Sequence, residues 1–317
     1  MDAGNDTYIY TPSVPLLALH TIGLLIVSLF GIVGSLITVV VIAASKTLHS
    51  PCFTLIGGGG IGSLLVALYF LSRGVDNIGL QLGVFQYVRT VLSCLLVGIL
   101  PIWGITFHAQ IASLIAIDRL ISVTAPIRYR SFGQRYSLCL LFACFLYNTT
   151  QLIIAFSIAP LTSTVVCIAF TDALRPLFMK VFGQLNLFYC IADVLAYVAM
   201  MLSLRLRHVF SSSNSNLQDS FSKQQLAVMP TVKLMMGLYL LTGVMAEVLI
   251  NVSLNLPHNE ASFFLVTFGT ILKNASAMVE GIALFARNKK FRECFLVLIK
   301  WKQNSVVLIG ATNRNQP

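Results

Sequence analysis

Asp118 and Arg119 stand side by side after a run of 28 residues, Thr90 to Ile117, that holds no Lys, Arg, Asp or Glu. An acid and a base in contact at the end of an apolar stretch can hold each other while partly desolvated. Separating them requires a rearrangement, so such a pair can bias a two-state structure. Asp193, Glu247, Lys273 and Glu280 lie inside other apolar runs, where charge is costly and tends to be functional. His108 precedes the Asp-Arg pair by ten residues in the same run. Among His, Cys and acids there is no nucleophile–base spacing and no metal-ligand spacing. The chain therefore reads as a non-enzyme that needs neither metal nor cofactor.

The elements that must position these residues are strongly apolar. The 317 residues are 57% hydrophobic and 10% charged, with mean hydropathy +0.85. Soluble domains carry about 25% charged residues. A helix needs about 20 apolar residues to cross hydrocarbon. Seven runs approach that length: 21–44, 53–72, 91–117, 138–160, 181–204, 226–250 and 262–286. The fourth is the weakest, with "YNTTQ" (147–151) at its centre. The runs are too long, and alternate too little, for barrel strands. The expected fold is all-α, an integral membrane bundle of seven transmembrane helices. The expected divisions are an outer N-terminus (1–20), the bundle (21–286), a juxtamembrane helix (287–302) and a cytoplasmic tail (303–317). "RNKKFRECFLVLIKWK" (287–302) alternates basic and apolar residues, which suits a short amphipathic eighth helix on the membrane surface.

Lys and Arg concentrate on the cytoplasmic side of membrane proteins. With the N-terminus outside and the C-terminus inside, only Arg73, Arg89, Arg175, Lys180 and Lys273 escape the inner side, which holds the other 16 of the 21 basic residues. The net charge of +10 is then a face for anionic lipid and cytosolic partners, and nucleic acid is not expected. Asn5, in "NDT", is an outer glycosylation sequon. On the third span Cys94, Pro101, His108 and Ile115 recur every seven residues, and Arg119 follows four later. At about 100° per residue they share one stripe, expected to face inward.

The stretch "ASLIAIDRLISVTAPIRYRS" (112–131) resembles the end of the third helix and the second inner loop of rhodopsin-like G-protein-coupled receptors. Asp118, Arg119, Val123, Pro126, Arg128 and Tyr129 match in one register, and Leu120 replaces the usual Tyr. The resemblance implies that Asp118, Arg119, Pro126, Arg128 and Tyr129 form the switch and docking surface for a heterotrimeric G protein. It also implies a disulfide between Cys94, 25 residues before Arg119, and Cys167 of the second outer loop. "RNKKFRECF" is similar to the start of the family's eighth helix. Elsewhere the family pattern is altered. Ser35 and Ser63 replace an Asn and an Asp, "EGIAL" (280–284) stands where Asn-Pro is usual, and span six lacks Cys-Trp-x-Pro. No family-type sodium site is expected. A preserved third helix with altered sixth and seventh helices is most similar to the nematode serpentine chemoreceptors, in particular the Srsx-like class.

Lys273 and Asp193 lie about 11 and 12 residues from the outer ends of their spans, at similar depth for a rise of about 1.5 Å per residue. They are expected to pair or to hold a polar ligand, with His108 deeper. The combined reading is a chemosensory receptor in the plasma membrane, and by resemblance in the sensory cilia of neurons. It binds an extracellular small molecule or peptide in the outer half of the bundle and activates a G protein at the inner face. The alternatives are a non-signalling seven-helix relative acting in binding or trafficking, and a transporter or channel. The latter is disfavoured because spans one and two carry no ionisable residue. A retinal pigment is disfavoured because Lys273 is one residue out of register, counted from Phe291-Arg292.

Overall fold

The computed structural model describes residues 13–84, 88–129, 131–166, 176–211, 234, 237–238, 240–256 and 259–312. Its helices are α1 (Val14–Ala44), α2 (Pro51–Gln81), α3 (Val91–Thr124), α4 (Gln134–Ile158), α5 (Pro176–Ser211), α6 (Met245–Leu254), α7 (Glu260–Arg287) and α8 (Lys289–Thr312). A short helical turn, Pro126–Tyr129, follows α3, and a π-helical turn, Leu240–Val244, leads into α6. Strands β1 (Val88–Thr90) and β2 (Thr164–Val166) pair antiparallel, Val88 opposite Val166, and tie the start of α3 to the segment after α4. Each of α1 to α5 holds a stretch long and apolar enough to cross a membrane.

In α1 the buried positions Leu17, Thr21, Leu24, Ser28, Gly31, Ser35, Thr38 and Val41 step by three or four residues and form one stripe. That stripe is largely small or hydroxyl-bearing, while Leu19, Ile22, Ile26, Leu29, Phe30 and Val33 stay exposed. A soluble helix does the reverse. Here the apolar face meets hydrocarbon and the small residues admit neighbouring helices. The Thr21 and Thr38 hydroxyls donate to the Leu17 and Gly34 carbonyls, so their burial leaves no donor unmade. Close approach is most demanding along α2. A Cβ on Gly58 would lie 2.3 Å from Leu141 of α4, and one on Gly60 would lie 3.0 Å from Val39 of α1. A side chain at either position would force Leu141 or Val39 to shift, so glycine lets α2 sit close between these helices.

Several helix ends differ from the sequence expectation. Helix α2 continues nine residues past 72, because Arg73 does not end it. Arg73 is buried and bonds Asp76 Oδ2 at 3.2 Å one turn on, so the pair is carried inside the helix. Helix α3 continues to Thr124, which places Asp118 and Arg119 within its last two turns. The start of the expected sixth span, 226–233, lies outside the described residues, and α6 ends at Leu254, four residues past the expected end. Helix α8 runs ten residues past 302, so 303–312 is helical where a tail was expected, while 313–317 lie outside the described residues. Phe291 anchors α8. It is fully buried against Val41, Ile42, Leu48 and Leu284, and its N–H is capped by Asn288 Oδ1 at 3.0 Å.

Candidate functional site

The end of the bundle that carries Arg119 and α8 is its basic end. There the last turns of α3 and the turn Pro126–Tyr129 build a closed triangle. Arg119 donates to Asp118 Oδ2 from Nη2 at 2.6 Å and from Nε at 3.1 Å. Arg119 Nη2 also donates to the Tyr129 hydroxyl at 2.8 Å, which itself donates to Asp118 Oδ2 at 3.0 Å. The Tyr129 ring lies 5.7 Å from the guanidinium carbon. Helix geometry brings the turn back under α3, since the Tyr129 N–H bonds the Ala125 carbonyl at 2.9 Å. Burial pushes the Tyr129 phenol well above its ordinary range, and the Asp118 carboxylate beside it adds to the shift, so Tyr129 remains a donor. Asp118 is 1% exposed, and its other oxygen is buried without a described hydrogen-bond partner. Arg119 keeps 27% of its side chain in solvent. One partner is therefore locked inside while the other has an open edge, so Arg119 is the half of the pair able to swing away.

A second polar layer crosses the middle of α3. Ser63 Oγ of α2 lies 2.9 Å from His108 Nδ1, so the residue standing where the family usually has Asp contacts the predicted His. Asn148 of α4 donates to Gln110 Oε1 at 2.7 Å and to the Cys144 carbonyl at 2.7 Å. Gln110 in turn donates to the Tyr189 hydroxyl of α5 at 3.2 Å. Thr149 and Thr150 bond back to the Phe145 and Leu146 carbonyls. The "YNTTQ" segment is thus the α4 contribution to a polar contact joining α3, α4 and α5, not a weak point of the span.

Closer to the opposite end, Lys273 of α7 pairs with Glu247 Oε1 of α6. Sequence reasoning singled out Glu247 as an ionisable group inside a span but gave Lys273 no acid on α6. The signal was present, since the two sit on consecutive helices. Asp193 of α5 is buried at 1% exposure. Cys190, one turn before it, is buried on the same face of α5. Among the described residues no group of three His, Cys, Asp or Glu side chains could hold a metal ion.

The family model for serpentine-type seven-transmembrane G-protein-coupled chemoreceptors of the Srsx class matches residues 28–299. The chain belongs to that family. No curated protein matches it. This Srsx chemoreceptor is a multi-pass membrane protein, and the matched span covers every helix from the middle of α1 into α8. Of the residues expected at its switch, Asp118, Arg119 and Tyr129 come together, whereas Arg128 is exposed and takes no part in the triangle. Pro126 opens the helical turn that returns Tyr129 to α3. Cys94 is buried in the first turns of α3. Cys167 and Asn5 lie outside the described residues, as does the Glu280 side chain.

Proposed function

We propose that this chemoreceptor binds an extracellular ligand among α3, α5, α6 and α7 and activates a heterotrimeric G protein at its basic end, which faces the cytoplasm. The observation that carries this is the Asp118–Arg119–Tyr129 triangle. It stores a cation against a buried acid at the end of α3, and opening it presents Arg119 to a cytosolic partner. A ligand shifts that equilibrium only by binding the open form better, so ligand and G protein strengthen each other's binding. The ligand end is the outer half of the bundle, where Glu247 and Lys273 supply charge in an apolar surround. The basic residues around Arg119 and α8 meet the anionic inner leaflet of the plasma membrane.

At the other end, a Cys94–Cys167 disulfide would lock the β1–β2 ribbon over α3. Residue 166 already pairs with residue 88 there, and the other five cysteines are free thiols. Asn5 would carry a glycan on the same side. The test is G-protein activation in cells, without agonist and with an odorant panel, comparing wild type and Arg119→Ala at equal surface expression. A signal that Arg119→Ala abolishes is expected. A signal that survives it intact would place coupling elsewhere.

A further inference from the structure

Gln110 of α3 joins three helices. It accepts from Asn148 Nδ2 of α4 at 2.7 Å and donates to the Tyr189 hydroxyl of α5 at 3.2 Å. One side chain spans the gap, so the three helices lie close at this depth. Helix α4 runs toward the β1–β2 ribbon, whereas α3 and α5 run away from it. One turn from the contact toward the ribbon therefore stand Thr106, Gln151 and Asn186, at the three- and four-residue spacings that share a helix face. One turn farther, Ile102, Ala155 and Phe182 belong to a single buried apolar cluster. The Gln110 contact below and this cluster above bracket Thr106, Gln151 and Asn186 as one layer.

The layer holds buried acceptors that lack donors. Thr106 gives its hydroxyl proton to the Ile102 carbonyl at 2.8 Å, and Asn186 gives Nδ2 to the Phe182 carbonyl at 3.1 Å. Asn186 is 2% exposed. Its Oδ1 and Gln151 Oε1 are buried and accept from no described donor. The Asn186 amide cannot turn over, because its oxygen would then face the Phe182 carbonyl. A buried acceptor without a donor is costly. Thr106, Gln151 and Asn186 carry no charge, and Asp193 stands on the basic-end side of the Gln110–Tyr189 contact. A cation in this layer would be buried without a counter-charge, and an anion would add acceptors where donors are missing.

We infer that this layer takes a neutral alcohol, whose hydroxyl donates to Asn186 Oδ1 or Gln151 Oε1. The inference rests on the proposed ligand-binding role and names the ligand's chemical class. The hydroxyl supplies the missing donor and brings no charge, while its hydrocarbon part meets the apolar cluster of Ile102, Ala155 and Phe182.

The test is thermal unfolding of the purified full-length receptor in detergent. The probes are 1-hexanol, cyclohexanol and 2-phenylethanol, each set against the methyl ether and the amine of the same skeleton. At least one alcohol is expected to raise Tm saturably, with its ether and amine inactive. Asn186→Leu is expected to weaken that alcohol's apparent affinity about tenfold. Gln151→Met, nearly isosteric, is expected to weaken it as well and serves if Asn186→Leu fails to fold. No saturable rise with any alcohol would overturn the inference and leave these oxygens to buried water. An equal effect of the ethers, a larger effect of the amines, or alcohol binding unchanged in both variants would overturn it too. Because the readout is binding, alcohol stabilisation without G-protein activation would count against the coupling proposal alone. Arg119-dependent basal signalling without alcohol stabilisation would count against the alcohol site alone.

Discussion

The molecule holds two ion pairs of opposite construction. Asp118 and Arg119 are neighbours in the chain and share a third partner, Tyr129, from the following loop. Glu247 and Lys273 come from different helices and join α6 to α7. In the first pair the acid side chain is fully buried and the base is 27% exposed, whereas in the second the two are 5% and 15% exposed. Arg119 can exchange its bonds for water or a partner without leaving the interface, which is what a switch requires. Lys273 has no such exit. Its pair instead sets the packing of α6 on α7 and the charge of the interior that a ligand would enter.

The sharpest way to break this contrast is to remove the inner base. Lys273→Met leaves Glu247 buried without its partner, a change that costs about 3–5 kcal/mol for buried pairs. It should appear as a marked loss of thermal stability and surface expression, and adding Glu247→Gln should restore most of both. A Lys273→Met receptor as stable as wild type would dissolve the distinction. Next in size, Asp118→Asn weakens two charge-assisted bonds and should destabilise by about 1–3 kcal/mol, with less harm to expression because Arg119 can turn to solvent. Tyr129→Phe deletes one donor and one acceptor of the triangle, at about 0.5–1.5 kcal/mol per bond, and should raise basal signalling less than Asp118→Asn does.

The Tyr129 contribution should not vary with pH in the physiological range. A phenol whose pKa is raised on folding contributes fully below its unfolded value of about 10 and loses that contribution only above it. The difference between Tyr129→Phe and wild type should therefore stay constant from about pH 6 to 9. Smallest of all, Asn148→Leu should cost about 0.6 kcal/mol, the average for a polar contact between membrane helices, and leave basal signalling unchanged.

The same contrast explains what was legible in the residues. The contacts among Asp118, Arg119 and Tyr129 were readable because the three fall within a dozen consecutive positions, so one helix and one turn bring them together whatever the rest of the bundle does. The Lys273–Glu247 contact was not, because Asp193 and Glu247 both stand inside spans. Assigning Glu247 requires the rotation of α6 about its axis, which hydropathy does not carry. Helix ends were missed for a related reason. A hydropathy count stops at Arg73, whereas the helix continues once Asp76 neutralises it one turn later. Asn148 looked like a flaw in the fourth span because its partner Gln110 lies 38 positions away on another helix. The seven-helix class itself was legible, since it rests on apolar length and on the side to which Lys and Arg fall, neither of which needs a partner to be known.

The central claim is that Asp118 and Tyr129 restrain Arg119 until the receptor opens. The direct measurement is agonist-independent G-protein activation by wild type, Asp118→Asn and the double variant Asp118→Asn/Arg119→Ala at matched surface expression. A basal signal that rises in Asp118→Asn and vanishes in the double variant is the predicted result. Asp118→Asn at the wild-type level, or a double variant as active as Asp118→Asn, would contradict it.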